Sequence, residues 1–211
     1  MSAQVVKTIF QEVYKTIIEH EDELGKLDSV AGDGDHGIGM ARGLKAARKS
    51  AEESEGESVA NLISNAGAAF SDAAGGSSGA LVGMFIITIG NKFPEEVTTE
   101  GILKAMQLGF ERMKKLGKAE PGQKTMLDTL QPFLEALEHA KDKPLAEAWQ
   151  AALLVAQKGM EATKEMESLK GRASRLGNRS RGHADPGAVS MYYLLRSVGN
   201  VLAHHEGSRS T

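Results

Sequence analysis

The sequence contains no cysteine, no long apolar run and no excess of basic residues among its 211 residues. The lack of cysteine excludes disulfides, thiolate metal sites and a cysteine nucleophile, and it is compatible with a reducing compartment such as the cytosol. No stretch of about 20 apolar residues could span a bilayer, and the first residues do not resemble a secretion signal, so we expect a soluble, cytoplasmic protein. A net charge of -3 argues against nucleic-acid binding through a broad basic surface.

Apolar residues recur at helical spacing over most of the chain. From Val5 to Ile18 they form one stripe, with charged residues outside it. Similar patterns predict helices over residues 37–53, 59–73, 99–116, 124–140 and 145–166, and a last helix that starts near Pro186. The stretch from Met84 to Ile89 is rich in β-branched residues, but its helical flanks and the lack of a pairing partner favour a buried helix over a strand. The chain is therefore expected to be all-α.

Glycine interrupts this helical pattern in four places, at residues 32–43, 75–79, 117–122 and 171–187. Four polar loops joined by apolar helices indicate a site assembled at one end of a helical bundle. No repeat or low-complexity linker divides the chain, so we expect a single domain over residues 1–211, with a disordered tail from about residue 205.

The first of these breaks carries three aspartates, Asp28, Asp33 and Asp35. Their offsets of five and seven residues fit no common helix face, so a loop is expected to carry them. Carboxylates that converge on a loop repel one another unless a cation lies among them, and their hard oxygens suit magnesium or calcium better than zinc or copper. We therefore expect a metal site here, with a solvated acidic turn as the alternative.

Two familiar motifs overlap the acidic loop, and neither fits. Gly32, Gly34 and Gly37 match the letters of the dinucleotide-binding fingerprint, but no buried strand precedes them. An EF-hand that started at Asp33 would need an oxygen ligand at Gly37 and a glutamate at Leu44. Both interpretations are rejected.

Two glycine-containing segments lead directly into helices, where unpaired backbone N–H groups bind anions such as phosphate. Residues 75–79 place the hydroxyls of Ser77 and Ser78 at such a helix start, and residues 36–39 lead from the acidic loop into the next helix. The alternative is a close helix crossing that needs small residues, with the serines as ordinary caps.

The sequence of residues 117–125 nearly matches the P-loop motif. Lys124 comes one residue late, and the preceding segment is helical in pattern, so a Walker-type NTPase is rejected. A helix–helix turn punctuated by Pro121 and Gly122 is the simpler interpretation, and Met126 just beyond it could line an apolar pocket or the core.

Residues 170–183 form a basic, glycine-punctuated loop. Arginine forks suit phosphate oxygens, although most exposed charges only solvate a surface, so we expect one or two functional arginines here. Asp185 and Pro186, which follow, have the pattern of a helix cap with proline in the first turn.

Together, the segments 28–37, 75–79, 117–126 and 170–187 resemble, in this order, those of the dihydroxyacetone kinase L family, the nucleotide-binding subunit of that kinase. The resemblance spans about residues 5–201. It implies an antiparallel barrel of about eight amphipathic helices, with the nucleotide site in loops at one end.

The resemblance also implies roles for individual residues. Asp28, Asp33 and Asp35 would hold two magnesium ions that bridge the nucleotide phosphates, and no side chain of this chain would be a catalytic nucleophile. The residues implied to contact ADP or ATP are His36, Gly37, Ile38, Gly39, Ser77, Ser78, Gly117, Met126, Arg172, Asp185, Pro186 and Gly187. Of these, Gly117 and Met126 match positions around the adenine, and Arg172 matches a phosphate-side contact.

The substrate and partners follow from the same resemblance. Dihydroxyacetone would be bound by a separate K subunit, and bound ADP would be rephosphorylated by a phosphohistidine protein of the phosphotransferase system, the M subunit. The chain would be inactive alone. Three alternatives stay open: an ATP-dependent ketotriose or ketotetrose kinase, a nucleotide-sensing coactivator of a transcription regulator, and a lipid-binding module that uses the barrel interior.

Overall fold

Nine α-helices make up most of the part of the chain that the computed structural model describes, residues 1–207. Their bounds are α1 Ala3–Glu19, α2 Glu21–Ser29, α3 His36–Glu53, α4 Val59–Ala74, α5 Gly76–Asn91, α6 Thr99–Gly117, α7 Leu127–His139, α8 Leu145–Ala162 and α9 Pro186–Gly207, with 3₁₀ helices at Thr163–Glu165 and Arg172–Ser180. The helix predicted at Met84 to Ile89 is confirmed as part of α5. The short α2 was not predicted. The expected disordered tail from about residue 205 is wrong for residues 205–207, which continue α9, and residues 208–211 lie outside the described residues.

Side chains cap four of these helices at the positions where they begin. The hydroxyls of Ser2, Ser58 and Thr98 accept hydrogen bonds from backbone N–H groups three residues further along, at the starts of α1, α4 and α6. Asp185 does the same for α9, where its carboxylate accepts from the Ala188 N–H at 2.8 Å. The cap predicted at Asp185 is therefore confirmed.

Eight of the helices close into a ring. Going round it, α3 packs on α4, α4 on α5, α5 on α6, α6 on α7, α7 on α8, α8 on α9 and α9 on α1, and α1 returns to α3. Neighbours run antiparallel. Thr16 of α1 contacts Ser197 of α9, whereas His20, just after α1, stacks on Tyr193, which is nearer the start of α9. Likewise, Gly90 at the end of α5 lies against Ser64 near the start of α4. The predicted antiparallel barrel of about eight helices is confirmed, with the short α2 packed on α3 and α9 at one end.

Glycines let α4 and α5 approach closely. A Cβ at Gly67 would lie 2.7 Å from the backbone nitrogen of Ile87, and one at Gly90 would lie 2.4 Å from that of Ser64. These distances are shorter than any side chain tolerates, so the two backbones are in direct contact. This contact explains why the helices retain residues that otherwise weaken a helix by about 1 kcal/mol.

Apolar side chains fill the ring. Phe70, Phe133 and Ile17 are fully buried, and Phe133 meets the edge of Trp149 with ring centroids 4.9 Å apart. The Trp149 indole N–H donates to the Leu195 carbonyl at 2.8 Å, so its polar atom is satisfied within the core. An apolar pocket of about 160 Å³ remains among these side chains.

The alternation of helix direction brings one set of termini together. The N-termini of α3, α5, α7 and α9 and the C-termini of α2, α4 and α6 surround one cavity, and the four glycine-rich segments lie there. The sequence-based expectation of a site at one end of the bundle is met. None of the helices within residues 1–207 has both the length and the hydropathy that crossing a membrane requires.

Because α4 and α5 touch at Gly90, we expect a methyl group at this position to destabilise the protein. The Gly90→Ala substitution gains up to about 1 kcal/mol of helix propensity, but its Cβ would meet backbone that no rotamer change can move, and overpacking costs about 1–3 kcal/mol. Because the Cβ would lie 2.4 Å from a backbone atom, the cost should be at the upper end of this range, so we expect the free energy of unfolding, measured by urea denaturation, to fall by about 1–2 kcal/mol.

Gly39→Ala is the control for this measurement. Its Cβ would meet only the Ala74 carbonyl oxygen, at an ordinary 3.4 Å, so stability should stay the same or rise slightly. Equal unfolding free energies for the two variants would contradict a tight α4–α5 crossing.

Candidate functional site

A cavity of about 370 Å³ lies where these termini meet, which is within the usual range of roughly 300–1,000 Å³ for small-molecule sites. Nearly all of the residues assigned from the sequence line it. They are Asp28, Asp33, Asp35, His36, Gly39, Ser77, Ser78, Gly117, Met126, Arg172, Asp185, Pro186 and Gly187. Gly37 and Ile38 do not line it: Gly37 is buried against α2, and Ile38 is 55% exposed.

The three aspartates come together as the sequence predicted. One carboxylate oxygen of each lies within 4.8 Å of those of the other two. Asp33 and Asp35 lie in the loop between α2 and α3, whereas Asp28 belongs to the last turn of α2, so the prediction that a loop carries all three is wrong for Asp28. The sharp turn at Gly34, with φ of +78°, and the lack of a side chain at Gly32, where a Cβ would lie 2.3 Å from Asp28 Oδ1, allow this arrangement.

A close crossing of α2 and α3 fixes Asp28. A Cβ at Gly37 would lie 2.2 Å from the Glu21 carbonyl oxygen, so the backbones of the two helices touch. The His36 N–H, at the start of α3, donates to Asp28 Oδ2 at 3.3 Å. The position of this carboxylate therefore depends on a helix N-terminus, which favours negative charge.

Arg172 joins the basic loop to the acidic one through an ion pair with Asp33. The hydrogen bond from Arg172 lowers the pKa of Asp33, while desolvation and the carboxylates of Asp33 and Asp28 raise the pKa of Asp35. Three carboxylates share one guanidinium, so negative charge is left uncompensated. Their oxygens are the ligands that magnesium prefers, and the donor set fits such an ion.

His36 connects three helices beneath the cavity. Its ring is buried, with Nε2 at 2.9 Å from the Ser190 hydroxyl and Nδ1 at 3.3 Å from the Ser78 hydroxyl. Burial lowers the pKa of His36. Because the Ser190 hydroxyl donates to the Gly187 carbonyl, it accepts from Nε2–H, and Nδ1 then accepts from Ser78. Neutral His36 thus fixes the first turn of α5 relative to α3 and α9.

The turn between α4 and α5 is a glycine turn that leads into a helix N-terminus, where unpaired N–H groups suit an anion. Gly75 and Gly76 have φ of +71° and +62°, and Gly75 both ends α4 and precedes α5. Arg42 also lines the cavity and donates to the carbonyls of Ala73 at 2.5 Å and Ala74 at 2.7 Å. Sequence reasoning missed Arg42, since its only signal is a cation at the C-terminus of a helix distant in sequence.

The opposite wall is apolar. Met126 is 6% exposed and lines the cavity while it also packs in the hydrophobic core, so both interpretations of this residue hold. Gly117 ends α6 and faces Leu81, where a Cβ would lie 3.3 Å from a leucine methyl group. A flat aromatic base has room against such a surface.

Two acidic residues stabilise the floor of the cavity. Asp185 caps α9, and burial raises its pKa to about 7. Asp128, which is 5% exposed, accepts hydrogen bonds from the backbone N–H groups of Gly122 and Thr125 and so shapes the turn before α7. Lys124 lies in that turn and lines the cavity, although the sequence analysis assigned it no role beyond the rejected P-loop.

Comparison with known proteins gives relatives of two kinds. The ADP-binding subunit DhaL of PEP-dependent dihydroxyacetone kinase 1 from Listeria innocua is 37% identical over 181 residues, which cover 85% of this chain and 87% of that subunit. D-erythrulose kinase from Mycolicibacterium smegmatis is 37% identical over 206 residues, which cover 95% of this chain but 36% of that kinase. The chain thus spans about a third of the length of the first curated relatives it matches.

A solved structure of a dihydroxyacetone kinase also resembles this chain. The crystal structure of the dihydroxyacetone kinase from C. freundii in complex with AMP-PNP and Mg²⁺ superimposes with a TM-score of 0.73 at 29% identity, over 95% of this chain and 34% of that one. The sequence profile of the DAK2 domain matches residues 30–200. On this profile match and the DhaL relative, the chain belongs to the DAK2 domain family.

Proposed function

We propose that this chain is the nucleotide-binding part of a dihydroxyacetone-type kinase and that it binds ADP or ATP with magnesium. The observation that carries the proposal is the convergence of three carboxylates, one arginine and four helix N-termini on one cavity. The carboxylates alone would repel a nucleotide, and the helix termini alone would not retain a metal. Together they suit a metal-complexed phosphate chain.

Each wall of the cavity takes one part of the nucleotide in this proposal. Gly117 and Met126 contact the base, and the first turns of α3 and α5, with Ser77 and Ser78, donate to the phosphates. Asp185, Pro186 and Gly187 contact the nucleotide from the start of α9. Gly37 and Ile38 lie outside the lining, so their contribution is confined to the backbone N–H groups of the first turn of α3.

The chemistry needs no nucleophile from this chain. Phosphoryl transfer depends mainly on position and on neutralisation of the charge of the migrating group. Asp28, Asp33 and Asp35 would hold magnesium, which we propose as two ions, and bound magnesium would neutralise phosphate charge. Arg172 would exchange its contact with Asp33 for phosphate oxygens once the carboxylate binds metal, because a guanidinium pairs with either oxyanion.

The acceptor sugar is proposed to come from a partner. In the preferred version, a K subunit binds dihydroxyacetone, and a phosphohistidine protein of the phosphotransferase system, the M subunit, rephosphorylates ADP that stays in this cytoplasmic chain. The name of the Listeria relative, a PEP-dependent ADP-binding subunit of similar length, supports this version.

A second candidate is the nucleotide-binding part of an ATP-dependent ketotriose or ketotetrose kinase. The erythrulose kinase relative supports it, with identity to this chain equal to that of the Listeria subunit. The coactivator of a transcription regulator stays a prediction. A lipid-binding module that uses the barrel interior also stays a prediction; the apolar pocket of about 160 Å³ is the part of the described structure that would serve it.

Removal of one metal ligand tests the site. Asp33→Asn removes a charge from the acidic cluster, and we expect the magnesium-dependent affinity for ADP to fall by about tenfold or more, since hydrogen bonds and contacts to charged groups contribute about 1.5–3 kcal/mol. Isothermal titration calorimetry with and without magnesium measures this change.

Asp142→Asn is the matched control for that titration. Asp142 is an exposed aspartate in the turn between α7 and α8, at the other end of the barrel, so its substitution makes the same change in net charge. Equal magnesium-dependent affinities for the two variants would show that the acidic cluster does not hold the metal.

The nucleotide that copurifies distinguishes the two candidates. The protein is purified with magnesium, dialysed extensively and denatured, and any released nucleotide is identified by chromatography and mass. We expect near-stoichiometric ADP, as a retained cofactor requires. An empty protein that binds ATP reversibly would favour the ATP-dependent kinase, and one that binds neither nucleotide with magnesium would contradict both.

A further inference from the structure

Lys124 is a buried lysine whose three donors are all used. Its side chain is 5% exposed, and Nζ lies 3.2 Å from the Met166 carbonyl oxygen, 2.5 Å from that of Ser180 and 2.8 Å from that of His183. An ammonium group has three N–H bonds, so none is left for a phosphate. Although it lines the cavity and belongs to a P-loop-like sequence, Lys124 contacts protein backbone instead.

The three carbonyls lie at the two ends of one segment, residues 166–183, which carries Arg172. A backbone hydrogen bond near Lys124 also holds the segment, since the Leu169 N–H donates to the Gln123 carbonyl at 3.2 Å. Within the segment, the Ser168 N–H donates to the Ser180 hydroxyl at 2.9 Å. Both ends of the segment are therefore gathered around one ammonium group, and the part between them extends to the acidic loop, where Arg172 meets Asp33.

The backbone of Lys124 is strained in this arrangement. The φ of Lys124 is +60°, in the left-handed region that non-glycine residues seldom adopt. Asp128 maintains the conformation by accepting from the N–H groups of Gly122 and Thr125, on either side of Lys124. A strained backbone and a buried charge persist only where surrounding contacts fix them.

We infer that Lys124 is a positioning residue that holds segment 166–183 over the cavity and thereby sets the place of Arg172. Its ammonium group joins both ends of the segment to the turn before α7, and it acts on bound nucleotide only through Arg172. The part of this inference that concerns nucleotide rests on the proposed function, while the attachment of the segment does not.

Limited proteolysis tests the attachment without any ligand. Lys124→Met keeps the length of the side chain and removes the charge, so we expect trypsin to cleave within residues 170–181 at least tenfold faster than in the unaltered protein. Lys118→Met is the matched control, because Lys118 also has a left-handed backbone, with φ of +48°, but is exposed. It should leave cleavage unchanged, and equal rates for the two variants would overturn the inference.

Chemical rescue separates the ammonium group from the packing of the side chain. The sequence has no cysteine, so a Lys124→Cys variant can be alkylated uniquely in denaturant with 2-bromoethylamine, which restores a lysine-like ammonium, or with iodoacetamide, which gives a neutral adduct. After refolding, the ammonium adduct should recover protease resistance and the neutral one should not. Equal behaviour of the two adducts would refute the inference, and this comparison holds even if Lys124→Met fails to fold.

Nucleotide affinity tests the link to Arg172. Lys124→Met and Arg172→Ala should each weaken magnesium–ADP binding by about 10- to 100-fold, and the double variant should be no weaker than Arg172→Ala alone, since both remove the same contact. Adenosine affinity should not change. Additive losses would mean that Lys124 acts on the nucleotide independently.

If the unaltered protein bound no magnesium–ADP, the proposed function would fail, while the proteolysis and rescue results would still decide the attachment of the segment.

Discussion

The antiparallel closure of eight helices is the constraint on which the site depends. In such a ring every second helix begins at the same end, so the N-termini of α3, α5, α7 and α9 necessarily share one rim. Each N-terminus carries partial positive charge and unpaired N–H groups. This rim can therefore accommodate carboxylates and phosphates together, and the loops need only supply the specific ligands. The same sequence of loops on a bundle of another topology would place these groups apart.

Repulsion among the carboxylates decides what the rim can bind. Desolvation first, and then the neighbouring carboxylates of Asp33 and Asp28, raise the pKa of Asp35 even with Arg172 paired to the cluster. An exposed ion pair contributes little, so one guanidinium does not remove the repulsion. Glycines at positions 32, 34 and 37 bring the carboxylates close in spite of it. A backbone shaped to hold like charges together favours a cation as part of the ligand.

Local patterns predicted the features that depend on near neighbours in sequence. The amphipathic stripes gave most helices, and the glycine-rich breaks gave the loops of the site. Helix α2 was missed because only Leu24 of it is buried, which leaves no apolar stripe to detect. The contacts of His36 and Lys124 could not be predicted from neighbouring residues either, since their partners lie as far as 154 and 59 residues away in sequence. Ring closure alone brings those groups together.

The two candidate functions share their contacts with nucleotide and differ in whether the nucleotide leaves. Release depends on access to the cavity, and segment 166–183 lines the part of it where we propose that the phosphates lie. Local segments open with free energies set by their own few contacts rather than by the stability of the whole protein. If Lys124 holds this segment as we infer, the strength of its three hydrogen bonds governs nucleotide exchange. Retention of ADP and exchange of ATP could then differ between relatives with the same metal ligands and the same barrel.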